Sequence, residues 1–249
     1  MFPVHSGTVP GLQSLLYQHF QDYHMQLRII GTSHIAKQSI EQVERVILEL
    51  KPQIVAIELD KKRLAGLLSP NKKGSFSWKD ARRIGFKGLL FAWLGSWLER
   101  KLGSQVGVLP GDEMRKAIDA AKKVDAKIAL IDQDIDVTLR RLSQSITYKE
   151  KARFVFDLVQ GLIFKKGIEF DLSKVPEEQI IAKLLKEVKE KYPNVHRVLV
   201  EERNNYMSKV LASILKKNPD GLVVAVVGAG HQREIARLVK KYINLNEVH

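Results

Sequence analysis

A chain of 249 residues with 45% hydrophobic positions can bury a substantial core, so an ordinary globular protein is expected rather than a disordered or fibrous one. With Cys 0, disulfide frameworks, cysteine nucleophiles and thiolate zinc sites are excluded, and any metal must be held by His, Asp or Glu. The formal net charge of +13 favours an anionic partner, yet no zinc-finger or aromatic RNA-binding pattern accompanies it, so nucleic acid is not the expected one.

In chain order, residues 1–24 contain no Lys or Arg, so the positive n-region of a secretory signal is missing. Met25 directly precedes the first apolar strand pattern, and residues 1–24 are read as a loosely ordered arm or a start-site artefact. The first strand is expected over Gln26–Ile30 and the first helix after the capping-box pair Ser39 and Gln42, with Ile40, Val43, Ile47 and Leu50 on its apolar face. Lys51-Pro52 ends that helix, and Gln53–Glu58 reads as the second strand, completing a βαβ unit. Lys and Arg then cluster from Lys61 to Lys87, and the stretch "LLFAWLGSW" places Trp93 and Trp97 one helical turn apart. This region is expected to be an insertion over about 61–110, a lid or an oligomer contact, with core packing as the plainer reading of its tryptophan stripe.

A helix from Gly111 with Met114, Ala117, Ile118 and Ala121 on one side leads into a third strand, Lys127–Ile131. From about 134 to 218 the pattern is helical, with a second capping box at Thr147 and Glu150 and breaks near Gly167, Pro176 and Pro193. The fourth strand, Leu222–Val227, arrives only at the end. The fold class is therefore α/β, a mainly parallel central sheet flanked by helices and built from both ends of a single domain over 25–249. No window offers the ~18 continuous apolar residues of a membrane span.

In parallel α/β sheets chemistry gathers at the C-terminal ends of the strands. His34, Glu58, Asp132 and His231 all fall at or just beyond such ends. Gly31-Thr32-Ser33-His34 and Gly228-Ala229-Gly230-His231 repeat one strand-GxxH-helix element, in which the glycine is expected to let the chain turn sharply. The second element is not a dinucleotide fingerprint, since Arg233 stands at the sixth position. Two histidines and Glu58 form a set suited to a divalent metal with open coordination positions, and Mn, Co and Zn all accept such donors. Asp60, on Glu58's face by strand alternation, is a candidate to orient a ligand or a substrate amine, with a solvated pair to Arg63 or Lys61 as the alternative. Asp132 is grouped with it as substrate-binding. Arg203 and Asn204 sit together on the long helix, where Arg203 can hold a substrate carboxylate or stabilise an oxyanion.

The motifs "IIGTSHIAKQSIEQV", "IVAIELDKKR", "LPGDEMRKAIDAA", "ALIDQDIDVTLRR", "VEERNNYM" and "VVAVVGAGH" together resemble the TraB/PrgY/GumN family, and more distantly the Tiki metalloproteases. The resemblance implies the sheet core of the erythromycin-esterase and ChaN-like group. From the Tiki branch it implies metal-dependent peptide cleavage with His34, His231 and Glu58 at the site, and from the TraB and PrgY branch, shutdown of a peptide pheromone.

The expectation is thus a cytoplasmic, divalent-metal-dependent hydrolase acting on peptides or small anionic substrates. Its metal ligands are His34, His231 and Glu58, its catalytic residues Glu58 and Arg203, and its substrate contacts Asp60, Asn204 and Asp132. Abundant Lys and Glu without cysteine suit a heat-adapted protein. The alternative is a non-catalytic protein that captures peptides or anions in the same cleft, favoured there by helix N-termini. A homo-oligomer, and peripheral membrane contact through the basic segment and Trp93 and Trp97, are further expected partners.

Overall fold

Four strands form one sheet, and their order in it is not their order in the chain. The computed structural model describes residues 27–32, 37–68, 111–164 and 177–244. Strands β1 (Leu27–Thr32), β2 (Ile54–Ile57), β3 (Lys127–Leu130) and β4 (Val223–Gly228) run parallel in the order β1-β4-β2-β3. Each lies within two residues of its expected bounds. The expected βαβ unit is present, but its two strands are not neighbours: β4 is inserted between them.

The helices are α1 (Lys37–Leu50), α2 (Lys61–Leu68), α3 (Asp112–Lys123), α4 (Ile135–Ser145), α5 (Tyr148–Phe164), α6 (Glu177–Lys191), α7 (Pro193–His196), α8 (Arg203–Lys217) and α9 (Ala229–Asn244). A π-helical turn, Arg197–Glu202, joins α7 to α8.

β4 takes the inner position because its sequence is apolar on both faces, the pattern of a strand covered on both sides. Val224 and Val226 join Val43 and Ile47 of α1 and Ala117, Ile118 and Ala121 of α3 in one core. Val223, Ala225 and Val227 join Met207, Leu211 and Leu215 of α8 and Ile235, Val239 and Ile243 of α9 in a second. The described residues therefore form three layers, and α8 lies over the same sheet face as α9. A third cluster of Leu142, Ile146, Phe154, Tyr192, Val195 and Val198 gives the helical insertion a small core of its own.

Local signals explain several helix ends. Lys51 adopts φ 42 and donates its N–H to the Ile47 carbonyl at 3.0 Å, closing α1 just before Pro52. Thr147 and Glu150 form the expected reciprocal cap of α5, with Thr147 N to Glu150 Oε2 at 3.0 Å and Glu150 N to Thr147 Oγ1 at 3.2 Å. The start of α1 differs from expectation. It begins at Lys37, two residues before Ser39, because Lys37 and Gln38 are good helix formers and nothing in them delays the helix.

No helix among the described residues is long and apolar enough to cross a membrane. Residues 1–24, His34, the stretch containing Trp93 and Trp97, and the breaks near Gly167 and Pro176 lie outside the described residues.

Candidate functional site

Three strand ends and the start of α8 meet at the C-terminal edge of the sheet. β2 stops at Ile57, where the Leu59 N–H turns back onto the Ile57 carbonyl at 2.8 Å. Strand alternation therefore does not extend to Asp60. Glu58 leans along the edge toward β4, and its Oε2 accepts the Gly228 N–H at 2.6 Å. Because Gly228 directly precedes α9, this places a carboxylate at a helix N-terminus, where it is electrostatically favoured.

His231 is the third residue of α9, and Asn204 is the second of α8. The two helices pack together, and His231 Nδ1 meets Asn204 Oδ1 at 2.6 Å. An amide oxygen only accepts, so Nδ1 carries the proton and Nε2 is turned to the sheet edge. There it lies 3.5 Å from Glu58 Oε1 and 3.4 Å from Arg203 Nη1. Asn204 is buried and His231 nearly so, which fixes the ring.

Arg203 ties the site together. Its Nε and Nη2 grip Asp132 as a fork, at 3.0 Å to Oδ1 and 2.6 Å to Oδ2. Nη2 also donates to Glu58 Oε1, and Nη1 to the Leu199 carbonyl at 3.2 Å. Leu199 belongs to the π-helical turn that runs directly into α8, which carries Arg203 and Asn204. On the other side of Asp132 stands Arg63, which donates to Asp132 Oδ2 and, through Nε, to Asp60 Oδ2 at 2.6 Å.

Glu58 and Asp132 carry shifted affinities for protons, because charge outweighs burial at both. Burial pushes the Glu58 carboxyl up, but the charge available at His231, that of Arg203 and the Gly228 N–H bring it below the usual range. Burial likewise opposes Asp132, and its hydrogen bonds and charge contacts with Arg203 and Arg63 hold it low. The Arg203 guanidinium is stabilised in its charged form by Glu58 and Asp132 against the cost of burial.

The sequence-derived candidates are thus drawn together at one edge: Glu58, Asp132, Arg203, Asn204 and His231 form a single connected network. Asp60 joins it indirectly. Its Oδ1 accepts the N–H groups of Lys62 and Arg63 at 2.8 and 3.1 Å, so it caps α2 while its other oxygen holds Arg63. Arg63, noted only as a possible pair, is a bridge between two buried carboxylates. The signal for that role was an Asp followed by a helix-forming run with a basic residue three positions on.

The glycines act differently from expectation. Gly31 and Gly228 lie within strands, and among the described glycines only Gly111 has a positive φ, of 99°. Gly31 allows a close approach: a Cβ there would stand 3.2 Å from the Ala229 Cα and would displace the end of the Gln232 side chain, whose Oε1 lies 2.3 Å away. Next to it, Thr32 pairs with Gly228, so the two strand-GxxH elements begin side by side.

Glu58 and His231 present a donor spacing that suits a metal ion. Bonds of about 2.0–2.2 Å at a tetrahedral angle set neighbouring donors about 3.4 Å apart, against 3.5 Å between Oε1 and Nε2. Among the described residues no three His, Asp or Glu side chains converge to hold a metal, and His34 lies outside them.

The sequence motifs that build this edge have counterparts in other proteins. The family model described as the TraB/PrgY/gumN family matches residues 20–242. An uncharacterized protein of Methanocaldococcus jannaschii is 39% identical over 224 residues, covering 88% of this chain and 55% of its own length. TraB domain-containing proteins of mouse and human are each 27% identical, covering 88% of this chain and 64% of theirs. The chain therefore spans just over half of the archaeal relative and less than two thirds of the mammalian ones. With a match that takes in all four strands and every residue of the network, the chain belongs to the TraB/PrgY/gumN family.

Proposed function

We propose that this edge is the active site of a divalent-metal-dependent hydrolase that cleaves peptides, with Glu58, His231 and His34 as the metal-holding residues. The observation that carries the reading is the 3.5 Å pairing of Glu58 Oε1 with His231 Nε2, with the tautomer set by Asn204 at 2.6 Å. The two atoms stand at the spacing of neighbouring metal ligands, and a histidine with its second nitrogen bonded to a neighbour is the usual preparation for a ligand. Charge supports it too. Among the described residues Glu58, Asp60 and Asp132 are paired with Arg63 and Arg203, and Glu58 also with His231, so with a neutral imidazole one negative charge is left in a largely buried network.

A bound Mn, Co or Zn ion supplies Lewis-acid polarisation of a carbonyl and makes water easier to deprotonate near neutral pH. Around it this chain's own groups have distinct tasks. Glu58 holds the ion or takes a proton from water, Asn204 keeps the His231 ring in place, and Arg203 is the donor nearest to a developing oxyanion. Asp132 keeps that guanidinium at the sheet edge. Arg63, anchored by Asp60 and partly exposed, is available to an anionic group of the substrate. The cysteine-free composition supports a cytoplasmic setting.

Calorimetric titration with Mn, Co and Zn tests this directly. The parent is expected to bind one of them at a single site, and His231→Ala and His34→Ala each to lose it while keeping the parent's circular dichroism. A parent that binds none of the three, yet binds short peptides, would leave the capture of peptides or anions without catalysis as the reading.

A further inference from the structure

The two outer strands of the sheet are finished differently. At β1 the Ile29 carbonyl accepts Gln232 Nε2 of α9 at 3.2 Å. β3, the other outer strand, has β2 as its one neighbour among the described strands. Its bonds to β2 use alternate residues: the Lys127 N–H donates to the Gln53 carbonyl at 2.9 Å and the Ile131 N–H to the Ile57 carbonyl at 3.1 Å. In a parallel ladder the residues between turn their main-chain groups the other way, so Ile128 and Leu130 present theirs to the free side. Lys127 and Ile128 are exposed there, Ile128 by 38% although it is apolar and β-branched, while Ala129 and Leu130 are half-buried.

We propose that the free side of β3 is a docking strand for a peptide, which adds to the sheet as a further extended strand and is thereby led to the candidate site. The inference rests on the reading of that site as one for peptides. Continuity with the site carries it. Ile131 and Asp132 follow Leu130 directly, and the Asp132 carboxylate is the one that Arg203 and Arg63 hold. A chain paired with Ile128 and Leu130 therefore lies along the strand that ends in the network, and Arg63, with 34% of its side chain exposed, stands at that same strand end. Length selects the occupant. Four residues offer far less than the about 800 Å² per partner of a stable protein interface, so a second copy finds too little here to hold it. An extended peptide needs only main-chain bonds and cover for alternate side chains, and Ile128 supplies apolar cover beside the open amides. Because the bonds run to main chain, the dock favours extended, unstructured segments over helical or folded ones and tolerates varied sequences.

Amide exchange of the full chain, followed residue by residue, tests this with a capped peptide of alternating Val and Thr as the probe. In the free protein Ile128 and Leu130 are expected to exchange faster than Ala129, whose N–H is turned to β2. At saturating peptide their exchange should slow by about tenfold or more, as mass action requires of a mostly occupied dock. The same peptide with N-methyl groups on the alternate residues that pair should give no protection, and methylation of the other alternate set should preserve it. Ile128→Pro removes one outward N–H and leaves the ladder to β2 whole, so it should keep the parent's urea midpoint and lose the protection at Leu130. If that variant fails to fold, the methylated peptides carry the test alone. Ile128 and Leu130 as slow as Ala129 in the free chain would mean that this side is already covered, and that overturns the proposal. A peptide that leaves their exchange unchanged overturns it as well. Metal uptake and cleavage are read separately: protection without either supports the dock and overturns the hydrolase reading, whereas cleavage without protection overturns the dock alone.

Discussion

At the scale of single residues, Asp132 shows how much the site depends on mutual compensation. Its side chain is fully covered, and it is tolerable there only because Arg203 and Arg63 both donate to it. Asp132→Asn keeps the shape but leaves two guanidiniums short of a counter-charge, which is expected to cost about 3–5 kcal/mol of stability at neutral pH in urea unfolding. The pH dependence follows from the direction of the shifts. Glu58 and Asp132 are held below their unfolded values of about 4.3 and 3.9. Their stabilising contribution is therefore complete above those values and is lost as the pH falls through the lower folded ones. The stability gap between parent and Asp132→Asn should narrow below about pH 4; a gap that stays constant down to pH 2.5 would contradict the role given to Asp132. Much of this network was legible in the sequence, because strand ends name Glu58, Asp132 and His231 once the strands are found. The sharing of Arg203 between two carboxylates was not, since it depends on where a helix 70 residues further on crosses the edge.

At the scale of elements, the two strand-GxxH motifs look alike in sequence and differ in what they ask of their glycines. Gly31 faces the first turn of α9, where Gln232 Nε2 donates to the Ile29 carbonyl at 3.2 Å, and a Cβ would also lie 3.2 Å from the Ala229 Cα. Gly228 meets only ordinary contacts, at 3.5 Å to Glu58 Oε2 and 3.6 Å to His231 Cδ2. Gly31→Ala is therefore expected to cost about 1–3 kcal/mol by forcing Gln232 aside, and Gly228→Ala less than about 1 kcal/mol. Denaturant midpoints of the two variants decide it, and the reverse order would mean that backbone freedom at Gly228, rather than close approach at Gly31, governs these motifs. Sequence alone suggested sharp turning at both. It failed because a glycine signals that a Cβ is unwelcome without saying whether geometry or a neighbour excludes it. The capping box at Thr147 and Glu150, by contrast, was fully readable, since every group in it lies within four residues.

On the scale of the whole molecule, the strands could be located from their composition, whereas their order could not. Runs of Val and Ile between turn residues mark a strand locally, but β1 and β4 pair across almost the whole described chain, Leu27 with Val223, and no local signal records that. The consequence is a sheet whose cohesion is concentrated in its last strand. Among the described strands β1 has β4 as its sole neighbour, β2 is joined to β1 only through it, and every residue from Val223 to Val227 is buried. Opening β4 separates both helical layers from the sheet, so its amides have no route to solvent short of global unfolding. α5 is placed differently: in its first half Tyr148, Val155 and Phe156 are exposed, and Phe154 packs into the small cluster with Tyr192. Local opening there leaves the sheet intact. Hydrogen–deuterium exchange is thus expected to be slowest across Val224–Val227, at the rate set by global stability, and faster by orders of magnitude in the first two turns of α5. Equal protection of the two segments would show that the helical insertion and the sheet unfold as one unit, and the edge site would then share its stability with α5 instead of drawing it from the sheet alone.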